Sequence, residues 1–146
     1  MAEGQMTLWR AIATLAQQIP FSKTRVESVL SVRLKEQSST THTVFLEGGP
    51  VSLEGNVTIS RTDLRLALRP DDPGLLLLEI AGDCITLDQL HPHYPDLKVS
   101  GNPRGKSLDE HTIYSVDQAW GKLSFGFKVR NPDCLDMIGF DPRMPG

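Results

Sequence analysis

The chain has 146 residues, a formal net charge of -3, 39% apolar residues and 23% charged residues. This is ordinary globular usage for a single domain with one core. The acidic balance argues against a nucleic-acid binder, which needs surplus Lys and Arg for phosphate, and the longest apolar run, Leu75 to Leu78, is too short for a membrane helix.

In chain order, Met6, Leu8, Trp9, Ile12, Leu15, Ala16 and Ile19 carry a helical apolar stripe over residues 6 to 18, which Pro20 ends. Thr24 and Glu27 have capping-box spacing for a second helix over 23 to 32, with Ser22 as the alternative cap. The short connection predicts a helical hairpin. From Thr41 to Leu46 the period changes to two. Gly48-Gly49-Pro50 makes a turn into a short strand, Val51 to Leu53. Val57 to Leu68 alternates apolar residues with Arg61, Asp63, Arg65 and Arg69. The phase changes near Ser60-Arg61-Thr62, which predicts a bulge. After the turn at residues 69 to 74, Leu75 to Ile80 reads as a central strand buried on both faces.

The second half repeats this order loosely. Thr86 caps a short helix through Leu87, Leu90 and His91 that ends near Pro92 or Pro95. Residues 97 to 99 are extended and 101 to 110 form a polar loop. His111 to Val116, Lys122 to Val129 and Leu135 to Phe140 read as strands. The expected fold is α+β: a single domain, 1 to 146, with the N-terminal helical hairpin packed on an antiparallel β-meander. Residues 1 to 81 and 82 to 146 are candidate pseudo-repeat halves, each a helix-plus-strands unit, although they share no residue-level identity.

His91-Pro92-His93, with Asp88, Tyr94 and Asp96, is the densest polar cluster. It offers imidazoles and carboxylates for a divalent metal, but no further ligand sits at metal spacing. The expectation is a helix end with exposed caps, no metal and no cofactor. Gly101 to Ser107 has one residue too few between its glycines for a phosphate loop, and leads into a strand where a helix is needed. Its Arg104 and Lys106 remain available to an acidic partner. G-x-S-x-G and H-E-x-x-H are absent, and Ser124 sits mid-strand, so no catalytic residue is assigned. Cys84 and Cys134 each follow an aspartate. Reduced, buried thiols are the ordinary reading in a cytosolic chain, and a disulfide is the alternative. The N-terminus lacks the basic region of a signal peptide, which predicts a cytoplasmic protein, or a periplasmic one if a signal has been removed. Trp120, next to a loop, is a candidate surface anchor.

The series Trp120 to Phe127, then Asn131-Pro132-Asp133-Cys134-Leu135, together with the opening helical hairpin and Asp83 to Leu87, resembles small proteobacterial immunity proteins found beside secreted antibacterial effectors of the type VI style. The helix-then-strands order is also similar to the repeat unit of proteinaceous β-lactamase inhibitors. The resemblance implies a non-enzymatic inhibitor, monomeric or homodimeric, that neutralises one cognate toxin without contacting nucleic acid or membrane. Without a signal peptide, a toxin that acts in the cytoplasm, such as a nuclease or a nucleotide-degrading enzyme, is implied. A periplasmic target such as peptidoglycan or lipid is implied if a signal has been removed or the cysteines are bridged. Toxin contacts are expected from the loops that carry Asp71, Asp72, His93, Tyr94, Asp96, Arg104, Asp109 and Glu110, with Trp120 or Tyr94 as an anchor. Two other classes compete: a small-ligand or metal-binding protein or enzyme using the His91/His93 region, and an adaptor of a secretion apparatus.

Overall fold

The structure, a computed structural model, describes residues 5–144. Helix α1 (Leu8–Ala16) starts where the Thr7 side chain accepts a hydrogen bond from the Arg10 amide, and it buries Leu8, Ala11, Ile12 and Leu15 along the stripe read from the sequence. Helix α2 (Lys23–Leu30) is capped by Ser22, not Thr24. Glu27 closes no capping box; its carboxylate accepts the Leu34 amide at 2.8 Å and so fixes the chain leaving the helix. Helix α3 (Leu87–Leu90) has the expected Thr86 cap, completed by Gln89.

The strands are β1 (Lys35–Ser39), β2 (Thr43–Gly48), β3 (Val51–Leu53), β4 (Val57–Ala67), β5 (Leu75–Gly82), β6 (Lys98–Gly101), β7 (His111–Gln118), β8 (Gly121–Lys128) and β9 (Leu135–Pro142). They form one sheet in the order β1-β2-β4-β5-β9-β8-β7-β6, with β3 on β4, and every pairing is antiparallel. The fold is therefore α+β, an antiparallel sheet with a few short helices. β1 was not visible in the sequence, because Lys-Glu-Gln-Ser-Ser is an edge strand exposed along its whole length and carries no apolar alternation.

Two meanders, β1-β2-β4-β5 and β6-β7-β8-β9, meet along β5 and β9. That seam has four residue pairs, Leu76↔Phe140 to Glu79↔Met137, against eight for β7 with β8. Cys84 and Cys134 lie just beyond its end and are joined as a disulfide, with their Cα atoms 4.9 Å apart. This overturns the expectation of reduced, buried thiols, and Cys84 is exposed. The cause is the β5–β9 pairing, a contact across 50 residues that no local pattern announces.

The helices and the segment after α3 cover one face of the sheet. There Leu46, Leu64, Leu76, Leu78, Leu123, Phe125, Ile138 and Phe140 join Ile12, Leu15, Val26 and Leu34 in one core. Phe21 meets Phe140 edge-on, and Tyr94 packs on Phe125. The register shift in β4 falls between Ile59 and Arg61, as the phase change predicted. It keeps Val57, Ile59, Leu64 and Leu66 on the covered face and sends Asp63 and Arg65 to the other. β5 is central but covered on one side only. Leu76, Leu78 and Ile80 are buried, Leu75 and Leu77 are half-buried, and Glu79 is exposed. The expectation of burial on both faces is corrected, since all the helices lie on one side.

Candidate functional site

The uncovered face of the sheet carries a groove of about 340 Å³ across β4, β5, β9, β8 and β7. Leu77 and Met137 supply its apolar part. Gly126 lets Met137 lie close to the sheet: a Cβ at that glycine would stand 2.6 Å from Met137 Cγ and 3.0 Å from His111 Cδ2.

One wall is an ion-pair network centred on Arg61. Its Nη2 donates to Glu47 Oε2 at 2.8 Å and to Asp63 Oδ2 at 3.4 Å, and its Nη1 donates to Glu79 Oε2. Arg65 donates to Asp63 Oδ2 at 3.1 Å, and its guanidinium lies 5.4 Å from the Phe45 ring centroid. Asp63 is the notable member. Its side chain is only 6% exposed on the face no helix covers, because two arginines fold over it. A buried carboxylate is tolerable only with such partners. The hydrogen bond from Arg61 holds the Glu47 carboxyl below its usual range.

The opposite wall is built on β7, β8 and β9. The His111 imidazole and Asp136 Oδ2 share a hydrogen bond at 2.7 Å. The Lys128 ammonium stands 3.8 Å from Asp136 and 3.9 Å from Asp109. Arg130 donates to Asp109 Oδ1 at 2.9 Å, and this bond lowers the Asp109 pKa. Further along the same face, Ser100, Ser115 and Ser124 form a hydroxyl ladder with spacings of 2.6 and 2.7 Å.

Of the residues selected from the sequence, only Asp109 lines this groove. Asp71 is exposed in the β4–β5 turn, and Asp72 Oδ1 accepts the Gly74 amide there at 2.9 Å. The exposed His93 ring stacks on Trp9 with centroids 3.9 Å apart. Tyr94 is half-buried, and loss of water pushes its hydroxyl pKa up to about 12. Asp96 is exposed just before β6. Trp120 packs against the core, its ring stacked on Phe140 at 5.9 Å, so it belongs largely to the covered side. Arg104 is exposed, while Glu110 organises the loop around it. The Glu110 carboxylate accepts the amides of Arg104, Lys106 and Ser107 at 3.2, 2.8 and 3.2 Å. The loop whose spacing falls short of a phosphate cradle thus wraps a carboxylate of its own. Asp71 and Asp72 thus share one turn, and Arg104, Asp109 and Glu110 share another loop.

Sequence reasoning missed Arg61, Asp63, Arg65, Glu79, His111, Lys128 and Asp136 as a group. The signal in β4 was present: charges at every second position of a long central strand mean that one face stays uncovered. The contributions of β7, β8 and β9 depend on strand order and could not be read locally. No group of three or more His, Cys, Asp or Glu among the described residues is placed to hold a metal ion, His91 and His93 included. Among the described residues, no helix is long and apolar enough to cross a membrane. No family model, curated protein or solved structure matches the chain.

Proposed function

We propose that this protein is a non-enzymatic inhibitor of the immunity type, which binds and neutralises one cognate toxin through the open face of its sheet. The observation that carries this reading is the division of labour between the faces. One face is sealed by helices, with α1 and α2 acting as a hairpin brace. The other presents a stiff surface of polar and charged groups held by ion pairs. An inhibitor needs such a rigid surface, about 800 Å² per partner, because little ordering cost is then lost on binding. The Cys84–Cys134 bridge favours an oxidising compartment over the cytoplasm, and with it a toxin that acts on peptidoglycan or lipid rather than on nucleic acid. The test is co-expression with the product of the adjacent gene. A 1:1 complex by light scattering and relief of that product's toxicity are expected. Failure to form the complex overturns the reading.

A second reading rests on the His111–Asp136 pair beside a cavity of small-ligand size. A small-molecule binder or enzyme would use this groove rather than His91 and His93, and turnover of a compound by the purified chain would decide for it. An adaptor role in a secretion apparatus draws support from no feature of the surface.

A further inference from the structure

We infer that the open-face groove receives a basic side chain, an arginine above all, from the protein that this chain binds. The inference rests on the inhibitor reading and names the partner's chemistry at that face.

Three observations carry it. The first is charge. The groove is lined by four carboxylates, Asp63, Glu79, Asp109 and Asp136, against the three fixed cations Arg61, Arg65 and Lys128. The second is unused acceptor capacity on opposite walls. Glu79 is bound by Arg61 through Oε2, and among the described residues Oε1 accepts no hydrogen bond. Asp136 is bound by His111 through Oδ2, while among the described residues its Oδ1 accepts no hydrogen bond and stands 3.8 Å from the Lys128 ammonium. Both side chains stay open to solvent, Glu79 at 48% and Asp136 at 30%. A planar guanidinium has donors on separate edges and suits carboxylates that approach from two sides, whereas an ammonium is a point charge. The third is shape. The carboxylates are spread along two walls and do not converge on a point, so a compact metal ion is poorly served. Leu77 and Met137 between them fit the aliphatic stem of a long basic side chain, which lies on apolar surface and keeps its charged head among polar groups.

The probe is hexa-arginine, titrated into the full chain at physiological salt and followed by amide chemical shifts, with hexa-lysine and hexa-glutamate alongside. Saturable 1:1 binding is expected, with shifts centred on Leu77, Glu79, Gly126 and Met137. Hexa-lysine should bind more weakly and hexa-glutamate not at all. The double variant Glu79→Gln/Asp136→Asn should weaken binding about tenfold, the scale of one lost charge-assisted contact. Asp71→Asn/Asp72→Asn removes two charges from a turn outside the groove and should change affinity less than about twofold. Leu77→Lys tethers a cation inside the groove and should block the peptide while leaving the carboxylates in place. Absence of saturable binding, equal losses in the two double variants, or shifts centred away from the groove would each overturn the inference. None of those results touches the inhibitor reading, which stands or falls on the complex with the adjacent gene product.

Discussion

The two faces of the sheet solve opposite problems with the same strands. On the covered face, alternate residues of β4, β5, β8 and β9 are almost uniformly apolar and fully buried, and stability there comes from area removed from water. On the open face, the intervening residues of those strands include Arg61, Asp63, Arg65, Glu79 and Lys128, and much of the order there comes from ion pairs. The difference teaches that a strand in this protein is two half-strands with separate jobs. The first tolerates substitution poorly because cavities are costly. The second tolerates it well because water can replace a lost partner.

Substitutions that separate the two mechanisms test this contrast. Phe140→Ala, at the centre of the covered face, should cost about 3–5 kcal/mol in urea unfolding, whereas Leu77→Ala on the open face should cost about 1 kcal/mol because the side chain is half-buried. A similar cost at both positions would erase the distinction. Replacing both cysteines by serine removes the clamp at the end of the four-pair seam and should lower stability by about 4 kcal/mol, as expected for a loop closed across 50 residues. Reducing agent should reproduce that loss in the native chain and leave the double variant unchanged. Asp63→Ala should cost about 1–2 kcal/mol. The buried carboxylate is lost, but Arg61 and Arg65 are exposed enough to regain water, which keeps the penalty below that of a fully buried pair.

Thr62 supplies a test of opposite sign. Its hydroxyl is buried on the covered face without a hydrogen-bond partner, so Thr62→Val should stabilise by about 1 kcal/mol. The smallest effects belong to exposed carboxylates. Hydrogen bonds and neighbouring cations depress the pKa values of Glu47, Asp109 and Glu110. For depressed groups the stabilisation is fully present above the unfolded carboxylate range, about pH 4, and is lost as pH falls through the folded values. Thermal melts should therefore be flat near neutral pH and drop only below about pH 4. Glu110→Gln should leave the melting temperature nearly unchanged at pH 7 and still speed hydrogen exchange at the Lys106 and Ser107 amides. Unchanged exchange would show that the carboxylate does not order the loop.

Local pattern was enough for the helical stripe of α1, the Thr86 cap, the bulge at Ser60 and most strands, because each follows from residues within a few positions of one another. It placed Arg61, Asp63 and Arg65 at alternate positions of one strand, and so foretold a polar face without saying what the face does. It could not reveal β1, which has no apolar period, or the groove, whose opposite wall lies on strands that follow much later in the chain. Periodicity is a property of neighbours in sequence and marks two faces on every strand. Which face the helices seal, that β5 lies against β9, and hence that Cys84 meets Cys134 and that Glu79 and Asp136 line one groove, are properties of neighbours in space. Those were decided only when the two meanders packed their apolar sides under one layer of helices.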